Sequence, residues 1–152
     1  MVTIYTDGSC KGNPGPGGWA AIFLNESQNQ PIKVLKGSSI NTTNNRMEMA
    51  AIIEALEYVK KEFGKERVKI ISDSNLLVQS LNLGWKRKAN LDLWEKLDDA
   101  RKNLQVEYSW VKGHATNKWN NECDKIANKE ADNPSGEMSA YDNSNPNQDT
   151  LF

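Results

Sequence analysis

Two aspartates lie where strands of a predicted sheet end. Asp7 closes the alternating run of residues 2–7, and Asp73 follows residues 68–72, a short β-branched run typical of a buried parallel strand. In open sheets, ligand sites collect at the carboxyl ends of parallel strands. We therefore expect both carboxylates to face one crevice, although either alone fits an ordinary turn aspartate equally well.

Two further acidic residues lie on predicted helices. Apolar spacing predicts a helix over residues 43–63, and Glu48 falls at the edge of its apolar stripe, which aims the side chain at the sheet. The spacing from Asn45 to Glu48 also fits a helix capping box, so a structural role stays open. Asp124 has the same relation to the last predicted helix, one position after Cys123.

The elements that would hold these carboxylates alternate between strands and helices. Periodicity predicts an α/β domain of order βββαβααβα, with a five-stranded mixed sheet, three antiparallel strands and then parallel strands, flanked by helices. A turn dense in Gly and Pro is predicted over residues 8–18. The other predicted strands are 19–24, 32–36 and 106–111, and the other predicted helices are 76–83, 91–104 and one from Trp119 to Ala131.

Length and composition indicate one soluble domain. The chain has 152 residues, with 38% hydrophobic and 26% charged, and no apolar stretch approaches the roughly 18 residues of a membrane span. Met1 leads directly into a strand, so no signal peptide is expected, and the distant Cys10 and Cys123 predict reduced thiols in a cytoplasmic protein. We expect a monomer without a membrane partner.

The charge is unevenly divided along the chain. Residues 133–152 hold three of the 20 acidic residues and none of the 19 basic ones. They are rich in Asn, Ser, Pro and Asp and lack hydrophobic periodicity, which predicts a domain over residues 1–132 and a flexible tail over 133–152. The slightly basic body is compatible with a polyanion, but non-specific attraction should be weak.

Four sequence blocks, in order and each on a predicted element, resemble type 1 ribonuclease H, the bacterial-type family. The blocks are Tyr5-Thr6-Asp7-Gly8-Ser9-Cys10 with Asn13-Pro14-Gly15; Thr42-Thr43-Asn44-Asn45-Arg46-Met47-Glu48; Ser72-Asp73-Ser74; and Trp110-Val111-Lys112-Gly113-His114-Ala115 with Asn120 and Cys123-Asp124. One such block would be weak evidence for the family, but coincidence is a poor explanation for four blocks in the right order. The resemblance implies a ribonuclease H-like fold with its catalytic domain over residues 1–132.

The resemblance implies an endonuclease that cuts the RNA strand of RNA/DNA hybrids. Asp7, Glu48, Asp73 and Asp124 would be its metal-binding carboxylates, holding two Mg²⁺ ions, with Mn²⁺ as an alternative. Hard oxygen ligands suit Mg²⁺, and two such ions can stabilise the attacking water and the leaving oxygen of a phosphoryl displacement. By family analogy, the products carry 5′-phosphate and 3′-hydroxyl ends.

His114 is the only histidine in the chain. A lone histidine is more often structural or merely exposed than catalytic. Its place after Gly113, ten residues before Asp124, resembles the mobile catalytic histidine of the family, which implies a role in proton transfer or product release.

Discrimination of RNA from DNA requires contacts with the 2′-hydroxyl. The resemblance places substrate contacts at short polar residues and glycine, although turns and helix caps explain the asparagines and Thr43 as well. The expected contacts are Gly8, Ser9, Cys10, Asn13, Thr43, Asn44, Asn45, Asn75, Gln79 and Asn120.

Two further segments suggest binding. Trp85 and Lys86 open an aromatic and basic run that is typical of a nucleic-acid backbone channel, or simply of a solvated face. The terminal residues Gln148, Leu151 and Phe152 resemble the short peptides with which bacterial proteins dock on the replication sliding clamp.

Two other functions compete with the hybrid nuclease. A nuclease of the same fold could act on another nucleic acid, as transposase-like or junction-resolving enzymes do; the block from Thr42 to Glu48 and the loop around His114 argue against it. A catalytically inactive hybrid-binding module would be expected to lack at least one carboxylate, and none of the four is missing.

Overall fold

A five-stranded sheet forms the centre of the computed structural model, which describes residues 1–25, 30–64, 67–113, 117–135 and 139–143. Within these ranges, five strands and four helices follow one another in the predicted order βββαβααβα. They are β1 (Val2–Cys10), β2 (Gly15–Asn25), β3 (Gln30–Thr42), α1 (Asn44–Glu62), β4 (Arg67–Ser72), α2 (Asn75–Leu83), α3 (Leu91–Arg101), β5 (Gln105–Trp110) and α4 (Lys118–Asp132).

The strand order in the sheet is β3-β2-β1-β4-β5. β1 pairs antiparallel with β2, and β2 with β3, whereas β4 runs parallel to both β1 and β5. This arrangement confirms the predicted mixed sheet. Because β1 and β4 are parallel neighbours, Asp7 and Asp73 lie on the same side of the sheet, where the carboxyl ends of these two strands meet.

The predicted turn over residues 8–18 is much shorter than expected. β1 continues to Cys10 and β2 begins at Gly15, so that Cys10 pairs with Gly17 and Asp7 with Ala20. Gly18 is needed for helix packing, because a Cβ there would lie 2.3 Å from the Ala127 carbonyl oxygen of α4. Close packing between layers, which periodicity does not report, explains this error.

β3 is longer than predicted, since its polar end pairs with the glycine-rich start of β2.

The two faces of the sheet bury different helices. The larger core joins α1 and α3 to one face, around Ile4, Phe23, Ile52, Leu56 and Trp94. The smaller core joins α4 to the other face, around Ile22, Cys123 and Ala127. The helices match the predicted segments, except that α3 stops at Arg101 rather than at residue 104. Asn103, at a φ of 65°, follows that end.

Residues 139–143 depart from the flexible tail expected after residue 132. Tyr141 is buried in the larger core, and Asp142 is buried against the end of β3. The Asn143 amide donates to the Asn41 carbonyl oxygen at 2.7 Å. A single aromatic in a polar segment gives no periodic signal, which is why the sequence did not reveal this contact.

Cys10 and Cys123 are free thiols, as the sequence predicts. Within the described part of the chain, none of the helices combines the length and apolar character that crossing a bilayer requires.

Candidate active site

Three carboxylates converge at the edge of the sheet where β1 and β4 end. Ligand oxygens of Asp7, Glu48 and Asp73 all lie within 4.8 Å of one another. Asp7 and Glu48 are almost fully buried, whereas Asp73 is partly exposed. The crevice expected from the two strand ends is therefore present, and the first turns of α1 bring a third acid into it.

The structure excludes the capping-box alternative for Glu48. Thr43 is the N-cap of α1, and its hydroxyl accepts from the Arg46 amide at 3.2 Å. Glu48 instead accepts from the Gly8 amide at 2.9 Å and from the Ser72 hydroxyl at 3.5 Å. A Cβ on Gly8 would lie 2.3 Å from the Glu48 amide nitrogen, so only glycine allows β1 and α1 to approach this closely.

Asp73 lies beside the loop that follows β5. The Trp110 indole donates to the Asp73 carbonyl oxygen at 3.2 Å, and a Cβ on Gly113 would lie 3.0 Å from Asp73 Oδ2. The residue next to Gly113 is His114, which lies outside the described residues. The start of the predicted histidine loop is thus at the carboxylates.

Asp124 on α4 completes the group. Its side chain lies within hydrogen-bond reach of Asp7 and helps to raise the pKa of that carboxyl group. Cys123, packed beneath, donates weakly to the Tyr5 and Ala20 carbonyl oxygens at 3.4 and 3.2 Å. Burial raises the pKa of this thiol well above its usual value, and the charges of all four carboxylates raise it further. The four predicted acids therefore share one electrostatic environment.

This environment disfavours negative charge in the absence of a cation. Burial raises the pKa of Asp7 far above the ordinary range, and the neighbouring charges of Glu48 and Asp73 add to the shift. Burial raises the pKa of Glu48 as well. Asp7 Oδ2 is buried and has no donor among the described residues. A hard divalent cation would compensate these oxygens, so the donor set fits a metal such as Mg²⁺.

The predicted substrate contacts fall into three groups according to the elements that carry them. Asn13 accepts from the Asn44 amide at 2.7 Å, which ties the turn between β1 and β2 to the exposed start of α1, next to Thr43 and Asn45. Asn75 accepts from Gln79 along α2 at 3.4 Å.

Ser9, Cys10 and Asn120 form the third group. The Ser9 hydroxyl donates to the Asn128 side chain of α4, and the Cys10 thiol donates to the Thr42 carbonyl oxygen at 3.3 Å. The Asn120 side chain is buried on α4, and within the described part of the chain neither of its polar atoms has a hydrogen-bond partner. Ser9 and Cys10 follow Asp7 at the end of β1, and Asn120 lies about one helical turn before Asp124 on α4.

The basic run beyond α2 contains exposed residues and one arginine that is paired with an acid. Trp85 and Lys86 are exposed, as a nucleic-acid contact requires. Arg87 instead pairs with both oxygens of Asp98 and lies over the Trp94 ring, 4.3 Å from its centroid. Arg87 therefore fixes the loop onto α3.

Sequence reasoning missed Arg46 as a residue of consequence. Its guanidinium is almost fully buried and pairs with both carboxylate oxygens of Asp92 at 3.0 and 2.8 Å. A signal was present, because Arg46 falls at helical spacing with Met49 and Ile53 on the buried stripe of α1. A charged residue on such a stripe needs partners.

A mixed sheet with clustered carboxylates at its parallel strand ends is the arrangement of a nuclease of the ribonuclease H type. The RNase H family model matches residues 1–132. Ribonuclease H of Thermoanaerobacter sp. strain X514 is 42% identical over 144 residues, covering 86% of this chain and 89% of that protein. Ribonuclease H of Chlorobium chlorochromatii is 44% identical over 141 residues, covering 84% and 92%. The chain belongs to the RNase H family, and it is a ribonuclease H enzyme.

Solved structures share this fold. The N-terminal RNase H domain of a Mycobacterium tuberculosis protein has a TM-score of 0.76 and 28% identity, covering 86% of this chain and 93% of that one. LC11-RNase H1, solved in complex with an RNA/DNA hybrid, has a TM-score of 0.75 and 26% identity, covering 87% and 97%.

The raised pKa values of Asp7 and Glu48 predict how pH affects stability without metal. The folded pair holds protons more tightly than unfolded carboxyl groups, whose pKa is about 4. The protonated pair therefore stabilises the folded state fully below a pH of about 4. This stabilisation is lost as the pH rises through the pKa values of the folded pair. In chelator, Asp7→Asn should match or exceed the wild-type melting temperature at pH 8, by up to several degrees, with a smaller difference at pH 5.

Thermal unfolding of both proteins at the two pH values measures this difference. Asp99→Asn is the control, since Asp99 is an exposed partner of Lys102, and it should show no such trend. Adding Mg²⁺ should raise the melting temperature of the wild type more than that of Asp7→Asn. A large drop for Asp7→Asn at both pH values would assign Asp7 a structural role instead.

Proposed function

We propose that this ribonuclease H hydrolyses the RNA strand of RNA/DNA hybrids with two divalent metal ions, normally Mg²⁺ with Mn²⁺ as an alternative. The observation that carries the proposal is the convergence of Asp7, Glu48 and Asp73 within 4.8 Å, with Asp124 beside Asp7. The crystallised LC11-RNase H1 complex with an RNA/DNA hybrid supports the substrate class.

The carboxylates would hold the cations, and the protein around them would fix the geometry. When bound, the ions would supply Lewis-acid stabilisation of the attacking and leaving oxygens. The Gly8 amide holds Asp7 and Glu48 in place, each at 2.9 Å, and Ser72 holds Glu48 from the other side. Water would attack phosphorus and the bond to the 3′ oxygen would break, which gives 5′-phosphate and 3′-hydroxyl ends.

His114 would take part in proton transfer or product release. The start of its loop at Gly113, against Asp73, supports this assignment. Because the histidine is not one of the clustered acids, its loss should lower turnover while the carboxylates keep their metal affinity.

Recognition of the hybrid would use the polar residues around the carboxylates. Gly8, Ser9, Cys10, Asn13, Asn44, Asn45, Asn75, Gln79 and Asn120 would read the RNA strand, with Thr43 on a DNA phosphate. The first turn of α1, tied to Asn13 at 2.7 Å, presents the exposed Asn44 and the partly exposed Asn45 near Glu48 in the sequence. A rigid, pre-positioned set of donors and acceptors suits discrimination of the 2′-hydroxyl.

Cleavage of matched duplexes tests the substrate and the metal. With Mg²⁺, the wild type should cut RNA/DNA but neither RNA/RNA nor DNA/DNA, and chelator should stop the reaction. Asp7→Asn and Asp124→Asn should each lower the rate by about two orders of magnitude or more, because each removes a charged metal ligand. Phosphatase and ligase treatment of the products identifies their ends, and a parallel series with Mn²⁺ compares the ions.

Asp99→Asn is the matched control for these variants and should cleave like the wild type. Cleavage of a DNA duplex or a branched junction in preference to the hybrid would favour a transposase-like or junction-resolving nuclease. Hybrid binding without cleavage by the wild type would favour an inactive binding module. Near-normal activity of Asp7→Asn would contradict the metal-site assignment.

Trp85 and Lys86 would form a contact for the nucleic-acid backbone. Trp85→Ala should raise the KM for hybrid about threefold to tenfold with little change in kcat, through loss of a stacking or packing surface. Lys86→Ala should reduce the salt dependence of binding by about one counterion. Leu83→Ala removes a more exposed apolar side chain nearby and is the control. Equal effects of Leu83→Ala and Trp85→Ala would contradict a specific contact.

The end of the chain would bind the replication sliding clamp through Gln148, Leu151 and Phe152, which lie outside the described residues. The described chain reaches Asn143, beside Asn41, and the remaining residues 144–152 span at most about 30 Å when fully extended. A docked peptide would therefore keep the enzyme close to its partner.

We further propose a monomer in the cytoplasm, where the free thiols of Cys10 and Cys123 would stay reduced.

A fluorescent peptide of residues 140–152 should bind a bacterial sliding clamp in an anisotropy titration. The same peptide with Leu151→Ala and Phe152→Ala should lose binding, because the two apolar anchors provide most of the contact. An unchanged anisotropy for the unaltered peptide would sink the clamp hypothesis and leave the nuclease function untouched.

A further inference from the structure

We propose that residues 139–143, the C-terminal strap, position the substrate-facing first turn of α1, with Tyr141 and Asp142 as its positioning residues. The proposal rests on the proposed function, because it concerns how that site holds its hybrid. It extends the functional unit beyond the domain of residues 1–132.

The strap bonds to the chain on both sides of the Thr43 helix cap. The Tyr141 carbonyl oxygen accepts from the Thr42 hydroxyl at 2.8 Å and from Arg46 Nε at 2.9 Å. Thr42 is the last residue of β3, and Arg46 lies in the first turn of α1. One carbonyl group therefore fixes both ends of the segment that carries Thr43, Asn44 and Asn45.

Arg46 makes this contact stringent. Its guanidinium, 2% exposed, offers five N–H donors. Three hydrogen bonds go to Asn90 and Asp92, and the other two go to the strap carbonyl oxygens of Tyr141 and Ala140. Without the strap, two donors of a buried cation would lose their acceptors, so the first turn would have to move or admit water.

Asp142 anchors the strap to β3. Its carboxylate accepts from the Ser39 hydroxyl, from the Asn41 amide at 3.4 Å and from the Ser139 amide at 3.0 Å. The Tyr141 side chain adds burial in the larger core and lies within hydrogen-bond reach of Glu54. Polar and apolar anchors thus hold the strap at neighbouring residues.

The strap should affect substrate binding more than the chemical step. Thr43, Asn44 and Asn45 lie between the two bonded residues, whereas Glu48 is held independently by Gly8 and Ser72. Loosening the first turn therefore weakens contacts with the hybrid while the carboxylates stay assembled. A split between KM and kcat distinguishes this role from general destabilisation.

The test uses the whole 152-residue chain with Asp142→Ala and Tyr141→Ala. Each should raise the KM for hybrid about threefold to tenfold with kcat within about twofold of the wild type. Each should weaken metal-free hybrid binding, measured by anisotropy in chelator, by a similar factor. Tyr141→Phe keeps the buried ring and should restore near-normal values.

Two controls separate positioning from stability and charge. Asp132→Ala removes an exposed carboxylate at the end of α4, and Val59→Ala lowers stability at the far end of α1. When assayed well below their melting temperatures, both variants should have the wild-type KM. Ser39→Ala removes one donor to Asp142 and should give a smaller shift in the same direction, which preserves the test if Asp142→Ala does not fold.

Unchanged KM and hybrid affinity in the strap variants that fold would overturn the proposal. If Val59→Ala and Tyr141→Ala lowered kcat and raised KM to the same extent, the effect would come from stability alone, and this would also overturn the proposal. Failure of the wild type to cleave hybrid would instead refute the proposed function, so the two failures are distinguishable.

Discussion

The backbone amide of Gly8 donates to Asp7 and to Glu48, at 2.9 Å in each case. It holds together two buried carboxylates that would otherwise repel each other. The contact exists only because β1 and α1 approach too closely for any side chain at Gly8. The register of β1 with β4 and the packing of α1 against the sheet converge on this one point, and the proposed metal binding would depend on it.

This arrangement stores unfavourable electrostatics that a cation relieves. Burial and mutual repulsion raise the pKa values of Asp7 and Glu48, so the metal-free site retains protons. Divalent ions would displace those protons and would then bind to fully charged carboxylates. Under the proposed function, the fold would give up some stability without metal in exchange for affinity with metal, a trade common at functional sites.

The sequence predicted much of this site because its determinants are local. Strand alternation located Asp7, a β-branched run located Asp73, and helical spacing aimed Glu48 at the sheet. The error over residues 8–18 and the strap has another origin: Gly18 and Tyr141 act through contacts with α4, β3 and α1 that are distant in the sequence. Arg46 lies between these cases, since its spacing was visible but its partners, Asp92 and the carbonyl oxygens of the strap, were not.

Basic residues available to hold a polyanion are fewer than the composition suggests. Arg46 and Arg87 pair with Asp92 and Asp98, so both guanidinium groups serve the fold. A chain with a net charge of −1 gains little from non-specific attraction to phosphates. Under the proposed function, its selectivity would then depend on metal ions and on short polar side chains held in fixed positions. Rigidity of the first turn of α1 follows as a requirement, and the buried Arg46 satisfies it by linking that turn to α3 and to the strap.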